Sequence, residues 1–305
     1  MPGFSLYVGL GSEEASPPLD PIARTLGGLG HHASYSCEIL CRAGPSVVAS
    51  SRYPEYPLRV LETDRLHILL EGRVYHPPLE NRADEWRSLA EAMLDPAGQT
   101  HPRCREWLLK TDGEYVVVAV DKASGDAAVL NDSLARLPCY YHAGPDRILV
   151  SREYLFIAGL MPAKSFDRLG MAEYLLFSYP LGERTLIAGV SRMPPGSLLR
   201  IVAREGRLSL TPIHTHNFED KPHAGKTMRQ NADALVDLFS WFGERRREIG
   251  VVERLPDLLD RIADREQCVA DLVRDEPSVA HGRFGDLVVG LGDSERLQDL
   301  AADIF

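Results

Sequence analysis

The stretch GEYVVVAVDKASGDAAVLNDSLARLPCYYHAGPDRILVSREYLFIAGL, residues 113–160, decides the fold, and FDRLGMAEYLLFSYPLGERTLIAGVSRMPPGSLLRI, residues 166–201, completes it. Residues 115–121 are rich in valine, as a strand buried on at least one face should be. Lys122, Ala123, Ser124 and Gly125 are turn residues, and 126–130 returns as a second strand. Residues 138–142 and 147–150 make another short pair about Ala143-Gly144-Pro145. Ser151 is expected to cap a helix whose apolar side is Tyr154, Leu155, Ala158 and Leu160.

Outward from this stretch, 4–9 reads as a strand ending at Gly9-Leu10-Gly11, and 12–21, rich in Glu, Ser and Pro, as a loop. Strands are expected over 33–40 and 46–51, joined across Ala43-Gly44-Pro45, and over 58–61 and 65–71. Residues 81–94 carry Trp86, Leu89, Ala92 and Met93 on related faces and read as a helix. Residues 104–109 read as a second, shorter helix. After Pro212 the character changes: 213–223 is a polar linker with His214, His216 and His223. From Lys226 the pattern is helical, with Ala232, Leu235, Val236, Leu238 and Phe239 on one face, extended by Trp241 and Phe242. The domain boundary is therefore placed between 1–222 and an acidic helical extension, 223–305. Pattern alone gives mixed α and β with antiparallel hairpins.

The 305 residues, 44% of them hydrophobic, are enough for a sizeable core. No apolar run approaches a membrane span, and no signal peptide is apparent, so the expectation is a cytoplasmic protein with no membrane partner. A net charge of −10 argues against nucleic-acid binding. Arg245-Arg246-Arg247 reads as a solvated helix end. Residues 251–305 hold 13 acidic and 6 basic side chains, a balance of −7. Cys37, Cys41, Cys104, Cys139 and Cys268 are odd in number and scattered, which suggests no disulfide framework. Cys37 and Cys41, four apart in a strand, should share a face as buried thiols. Neither they nor the three linker histidines form a recognised metal-ligand set, so no metal and no cofactor is expected.

The deciding stretch resembles the end of the amino-terminal, glutaminase-type domain of asparagine synthetases and their relatives. Tyr115-Val116 stand where that family has Phe-Ala, and Asp121 falls at its spacing. Residues 131–141 match its R-D-x-L-G-x-x-P-L-Y-Y at Asp132, Leu134, Pro138, Tyr140 and Tyr141. They depart from it at Asn131 (for Arg), Ala135 (for Gly) and Cys139 (for Leu). Ser151 and Glu153 fit the S-E that opens the next helix only loosely, because Arg152 intervenes. Ala172-Glu173-Tyr174-Leu175 matches A-E-Y-L, and 185–196 matches T-L-F-x-G-V-x-x-L-P-P-G. The resemblance implies an α+β fold: the four-layer αββα sandwich of antiparallel sheets of N-terminal-nucleophile hydrolases, followed here by the helical extension.

It also implies chemistry that this sequence lacks. The family's nucleophile is a cysteine directly after the initiator methionine, and here Pro2 stands there. Its oxyanion donors lie in N-G-E-I-Y-N, and the corresponding residues are Glu71, Gly72, Arg73, Val74, Tyr75 and His76. Glu71 would put an anion where negative charge develops. Of the family's ATP loop S-G-G-x-D-S, 289–294 keeps only Gly290, Asp293 and Ser294, so ATP binding is not expected. The leading expectation is a non-catalytic homologue acting as partner, scaffold or regulatory subunit of a separate ATP-dependent synthetase or peptide-modifying enzyme. In that reading the acidic tail docks the partner or completes a homodimer. The rivals are a shortened synthetase that regulates a paralogue, and an enzyme with a reused pocket. In that pocket Glu71, Gly72, Arg73, Tyr75 and His76 would act on a small amide or amino acid.

Overall fold

The computed structural model describes residues 2–10, 17–77, 82–95, 102–213 and 225–248; of the last segment, the side chains of Phe239 and of 241–248 are outside the description. The chain divides into two compact units, Met1–Lys221 and Pro222–Phe305.

In the first unit the valine-rich segment is β6 (Asp112–Asp121), and it returns through the Asp121–Gly125 turn as β7 (Ala127–Asn131). Asp121 builds that turn: its carboxylate accepts from the amides of Ala123 (2.9 Å) and Ser124 (3.2 Å) and from Arg65 Nε (2.8 Å). β4 (Leu58–Glu62) and β5 (Leu66–His76) add on one side of this pair. β11 (Ser197–Val202) and β12 (Arg207–Pro212) add on the other. The result is a sheet of order β12-β11-β7-β6-β5-β4. β1 (Gly3–Gly9) lies inside a second sheet, between β3 (Ser46–Arg52) and β9 (Arg147–Ser151). β2 (Ser36–Ala43), β8 (Tyr140–Ala143) and the two-residue β10 (Ser191–Arg192) complete the order β10-β8-β9-β1-β3-β2. Every pairing in both sheets is antiparallel.

Strand alternation sorts the side chains into three layers. Phe4, Leu6, Val8 and Val150 of one sheet meet Leu69, Val116, Val118 and Leu199 of the other, so the sheets pack face to face. On the outer face of the β6 sheet, Ile68, Leu70 and Val117 are covered by α2 (Ala83–Leu94) and α3 (Pro102–Lys110) through Trp86, Met93 and Trp107. On the outer face of the β1 sheet, Tyr7, Val47 and Leu149 are covered by α1 (Leu19–Gly27) and α4 (Tyr154–Leu160) through Ile22, Leu26, Phe156 and Ile157. This is the expected αββα sandwich, reached from the layers themselves.

Asn131 ties β7 to the segment that leads from β10 into β11. Its Nδ2 donates to Pro194 O (2.7 Å) and its Oδ1 accepts from Ser197 N (2.8 Å), while Gly196 N donates to Asp132 O (3.0 Å). Asp132 accepts from the amides of Leu134 (2.9 Å) and Arg136 (3.1 Å), which folds the chain so that Ala135 takes a left-handed φ of 50°. Asp132 and Gly196 are thus held where the chain passes between the sheets.

Several expectations are corrected. Residues 19–21 are the first turn of α1, not loop; Pro21 is accommodated there because the first-turn amides have no helical partner anyway. The α4 face that packs is Phe156, Ile157, Ala158 and Leu160, whereas Tyr154 and Leu155 are exposed. Ser151 belongs to β9 and the N-cap is Glu153, although the Ser151 hydroxyl does accept from Glu153 N (2.9 Å). A β-bulge between Ile39 and Cys41 shifts the register, so Cys37 packs on the α1 side and Cys41 on the inter-sheet side, both half-buried.

In the second unit the helical pattern after Lys226 is α5 (Met228–Glu248), opened by Thr227, whose Oγ1 accepts from Gln230 N (3.2 Å). The linker histidines and everything read in 251–305 lie outside the described residues.

Candidate functional site

β5 runs five residues past the expected end, so all the singled-out residues from Glu71 to His76 are on one strand. Period-two alternation puts Gly72 on the opposite face from Glu71 and Arg73, and a bulge between Val74 and His76 shifts the register there. Glu71 follows Leu69 onto the inter-sheet side and is completely buried. Arg73 is exposed, Tyr75 is buried and His76 half-buried. Gly72 has a φ of 103°, and a Cβ there would lie 2.0 Å from Glu114 O, so only glycine fits between β5 and β6. Glu71 reaches the place where β1 begins.

There it meets three donors. Phe4 N, at the start of β1, donates to Oε2 (2.7 Å). Arg152 Nε donates to Oε1 (2.8 Å), and the Tyr56 hydroxyl donates to the same oxygen. The guanidinium of Arg152, itself buried, also donates to Pro138 O. Glu71 thus spans the two sheets, holding the first amide of β1 from the opposite layer. Gly3 fits only as glycine: a Cβ would lie 2.7 Å from Arg152 Cβ and from Glu71 Oε1.

Burial pushes the Glu71 carboxyl upward, against the pull of Arg152, Tyr56 and the Phe4 amide. Burial likewise opposes the Arg152 charge, but Glu71 and Tyr56 outweigh it and Arg152 is held protonated more firmly than usual. The two partners pull in different directions, and the geometry decides between them. All three recorded neighbours of Glu71 are donors, so the group is an ionised, acceptor-only carboxylate. The Tyr56 phenol is raised by burial and by the Glu71 charge, and stays a donor.

Outward from Tyr56 runs a row of rings. Tyr56 meets Tyr53 edge-on at 5.4 Å, Tyr53 meets Tyr35 at 6.0 Å, and Tyr35 meets His31 at 6.0 Å. His31 Nε2 lies 3.7 Å from Glu153 Oε2. Two nucleophile types lie close to the start of β1, and neither is poised. Cys139 is fully buried and its thiol is pushed up to about 12 by burial. Ser5 is buried with its hydroxyl on Ser151 Oγ at 2.9 Å. Among the described residues, no group of three or more His, Cys, Asp or Glu could hold a metal ion. No helix there is long and apolar enough to cross a membrane.

Sequence reasoning flagged Glu71 as an anion in the wrong place and Arg152 as a residue out of pattern, but did not join them. The usable signal was that the two departures carry opposite charges. Tyr56 left no such signal.

No family model matches the chain, and no curated protein matches it. Among solved structures it is similar to a glutamine phosphoribosylpyrophosphate amidotransferase from B. subtilis complexed with ADP and GMP, at a TM-score of 0.41 and 10% identity over 71% of this chain and 50% of that one. It is also similar to the allosteric regulatory enzyme of purine biosynthesis, at 0.43 and 12% over 70% and 49%. The chain spans about half the length of these structures. Both likenesses are weak, and the fold class stands on the sheet orders and the layers.

Proposed function

We propose that this chain is a non-catalytic relative of the glutaminase-type domain of the asparagine-synthetase family. It serves as partner, scaffold or regulatory subunit of a separate ATP-dependent amide-forming enzyme. The sheet-crossover residues Asp132, Pro138, Tyr140, Tyr141 and Pro194-Pro195-Gly196 support the family reading. The observation that carries the loss of catalysis is the sealing of the start of β1 by Glu71, Arg152 and Tyr56. A carboxylate and a guanidinium occupy each other at the place where the family implies a nucleophile and an oxyanion donor. With its charge neutralised and its oxygens taken by donors, Glu71 neither activates a nucleophile nor tolerates a developing oxyanion.

The test has two arms. Purified protein given glutamine should release no ammonia above the uncatalysed rate. The tagged protein, recovered from its native cell after crosslinking, should bring down a stoichiometric ATP-dependent amide-forming enzyme, identified by mass spectrometry. Glutamine hydrolysis at an enzymatic rate that Glu71→Ala abolishes would overturn the reading, and recovery of the chain alone would remove the subunit role.

A further inference from the structure

Where α3 meets the start of β6, three polar atoms are left without partners. Trp107 Nε1, Thr111 Oγ1 and Tyr115 Oη are buried, and none makes a hydrogen bond among the described residues. Each such group carries the full cost of its lost hydration, and three at one junction call for a shared partner.

The three stand together. The rings of Trp107 and Tyr115 meet edge-on, 6.3 Å between centroids at 83°. Burial and the charge of Asp132 push the Tyr115 phenol up, and the Trp107 indole N–H opposes them. That N–H therefore lies beside the phenol oxygen, short of hydrogen-bond geometry. Thr111 is one helical turn beyond Trp107 and closes α3 by donating its amide to Trp107 O (2.9 Å). The Tyr115 ring leans back toward it. A Cβ on Gly113, midway between Thr111 and Tyr115 in sequence, would lie 2.9 Å from Tyr115 Cδ1.

We propose that Trp107, Thr111 and Tyr115 together bind one structural water that joins α3 to β6. The donor set specifies this ligand. A buried water needs about two to four polar partners. Its oxygen accepts from the indole N–H and the phenol O–H, and one of its hydrogens goes to Thr111 Oγ1, so all three are satisfied. A cation does not fit, because the indole nitrogen offers only a hydrogen. An anion would be repelled by Asp132 and Asp112, whose charges both act on the Tyr115 phenol. Arg136 acts in the opposite sense, but it is already paired with those two carboxylates. The site is independent of the function proposed above.

Deleting one partner at a time in the full chain tests it. Tyr115→Phe and Thr111→Val each remove a hydroxyl and add no bulk to the layer. With the water bound, each change lowers the melting temperature, because the remaining groups lose their bridge. The double variant should fall by less than the sum of the two, since the bridge is lost only once. In a dry layer each change removes an orphan, so an unchanged or raised melting temperature would overturn the proposal. Water–protein nuclear Overhauser spectroscopy supplies a readout that packing alone does not move. The Trp107 indole proton of the parent should show a cross-peak to a long-lived water, lost in both single variants, and its absence from the parent refutes the site. The melting temperature should be the same in chloride and in a bulky organic anion at equal ionic strength; a rise specific to chloride would put an anion in the site and overturn the assignment.

Discussion

Replacing Arg152 with methionine puts the Glu71–Arg152 pair to the most direct test. The guanidinium is 2.8 Å from a carboxylate with no solvent exposure, and its loss strands that charge against two remaining donors, Phe4 N and the Tyr56 hydroxyl. Removing one member of such a buried pair costs about 3–5 kcal/mol. For a unit the length of Met1–Lys221 that is a fall in melting temperature of roughly 6–20 °C. Glu71→Gln should cost a similar amount, because it strands the guanidinium. The double variant, Glu71→Gln with Arg152→Met, leaves no buried charge and keeps an amide oxygen for Phe4 N; it should come back to within about 2 kcal/mol of the parent. The sign of the pH dependence gives a second readout. In Arg152→Met, burial acts on Glu71 without its main opposing charge, so its folded pKa rises further above the unfolded one. A group raised in this way binds its proton in the folded state, and stability is lost as pH rises through the interval between the two values. The variant should therefore be least destabilised near pH 5 and most destabilised near pH 8. Thermal unfolding by circular dichroism across that range measures both effects. Additive single changes, or a cost below about 1 kcal/mol, would show that the pair is not the closed, buried device described.

Three further outcomes follow from the same geometry. Burial pushes the Asp121 carboxyl up, but Arg65 and the amides of Ala123 and Ser124 outweigh it and hold it below its ordinary value. Its contribution is present above the unfolded pKa and is lost as pH falls through the folded one, so the stability of the parent should drop more steeply than that of Asp121→Asn between pH 4 and 2.5 or so; parallel curves would refute the assignment. Asn131→Ala removes both partners of the sheet crossover and strands Pro194 O and Ser197 N, at a cost of about 2–4 kcal/mol by urea unfolding, and a neutral change would count against the clamp. Cys104 and Cys139, with thiols pushed up to about 12 by burial, should resist iodoacetamide at pH 8 until the chain unfolds; residue-resolved mass spectrometry showing early alkylation of either would contradict the packing.

The fold was legible wherever one periodicity dominated. Valines on both faces of β6 mark a strand buried between layers, and Gly44 and Gly125 mark turns because their φ values of 53° and 75° suit few other residues. Legibility failed where a single extra residue changed the outcome. The bulge at Ile39–Cys41 reversed the face of Cys41, and nothing in the composition of β2 announces it. α1 was missed because Pro17, Pro18 and Pro21 read as loop, although Leu19, Ile22 and Leu26 have helical spacing.

The candidate site shows the same limit at the level of charge. Read singly, Glu71 is a buried anion and Arg152 a buried cation, each out of place in a sheet interior. Read as a pair 2.8 Å apart, each explains the other. A buried carboxylate at position 71 is stabilised by a cation, and Arg152, the residue that leaves β9 after Ser151, supplies it. Gly3 then has to remain glycine, because the pair takes the space a Cβ would use. Three residues from three strands or their ends, Gly3, Glu71 and Arg152, are thereby bound into one requirement, and relieving it at one position alone is costly. Opening the start of β1 would require changing Glu71 and Arg152 together.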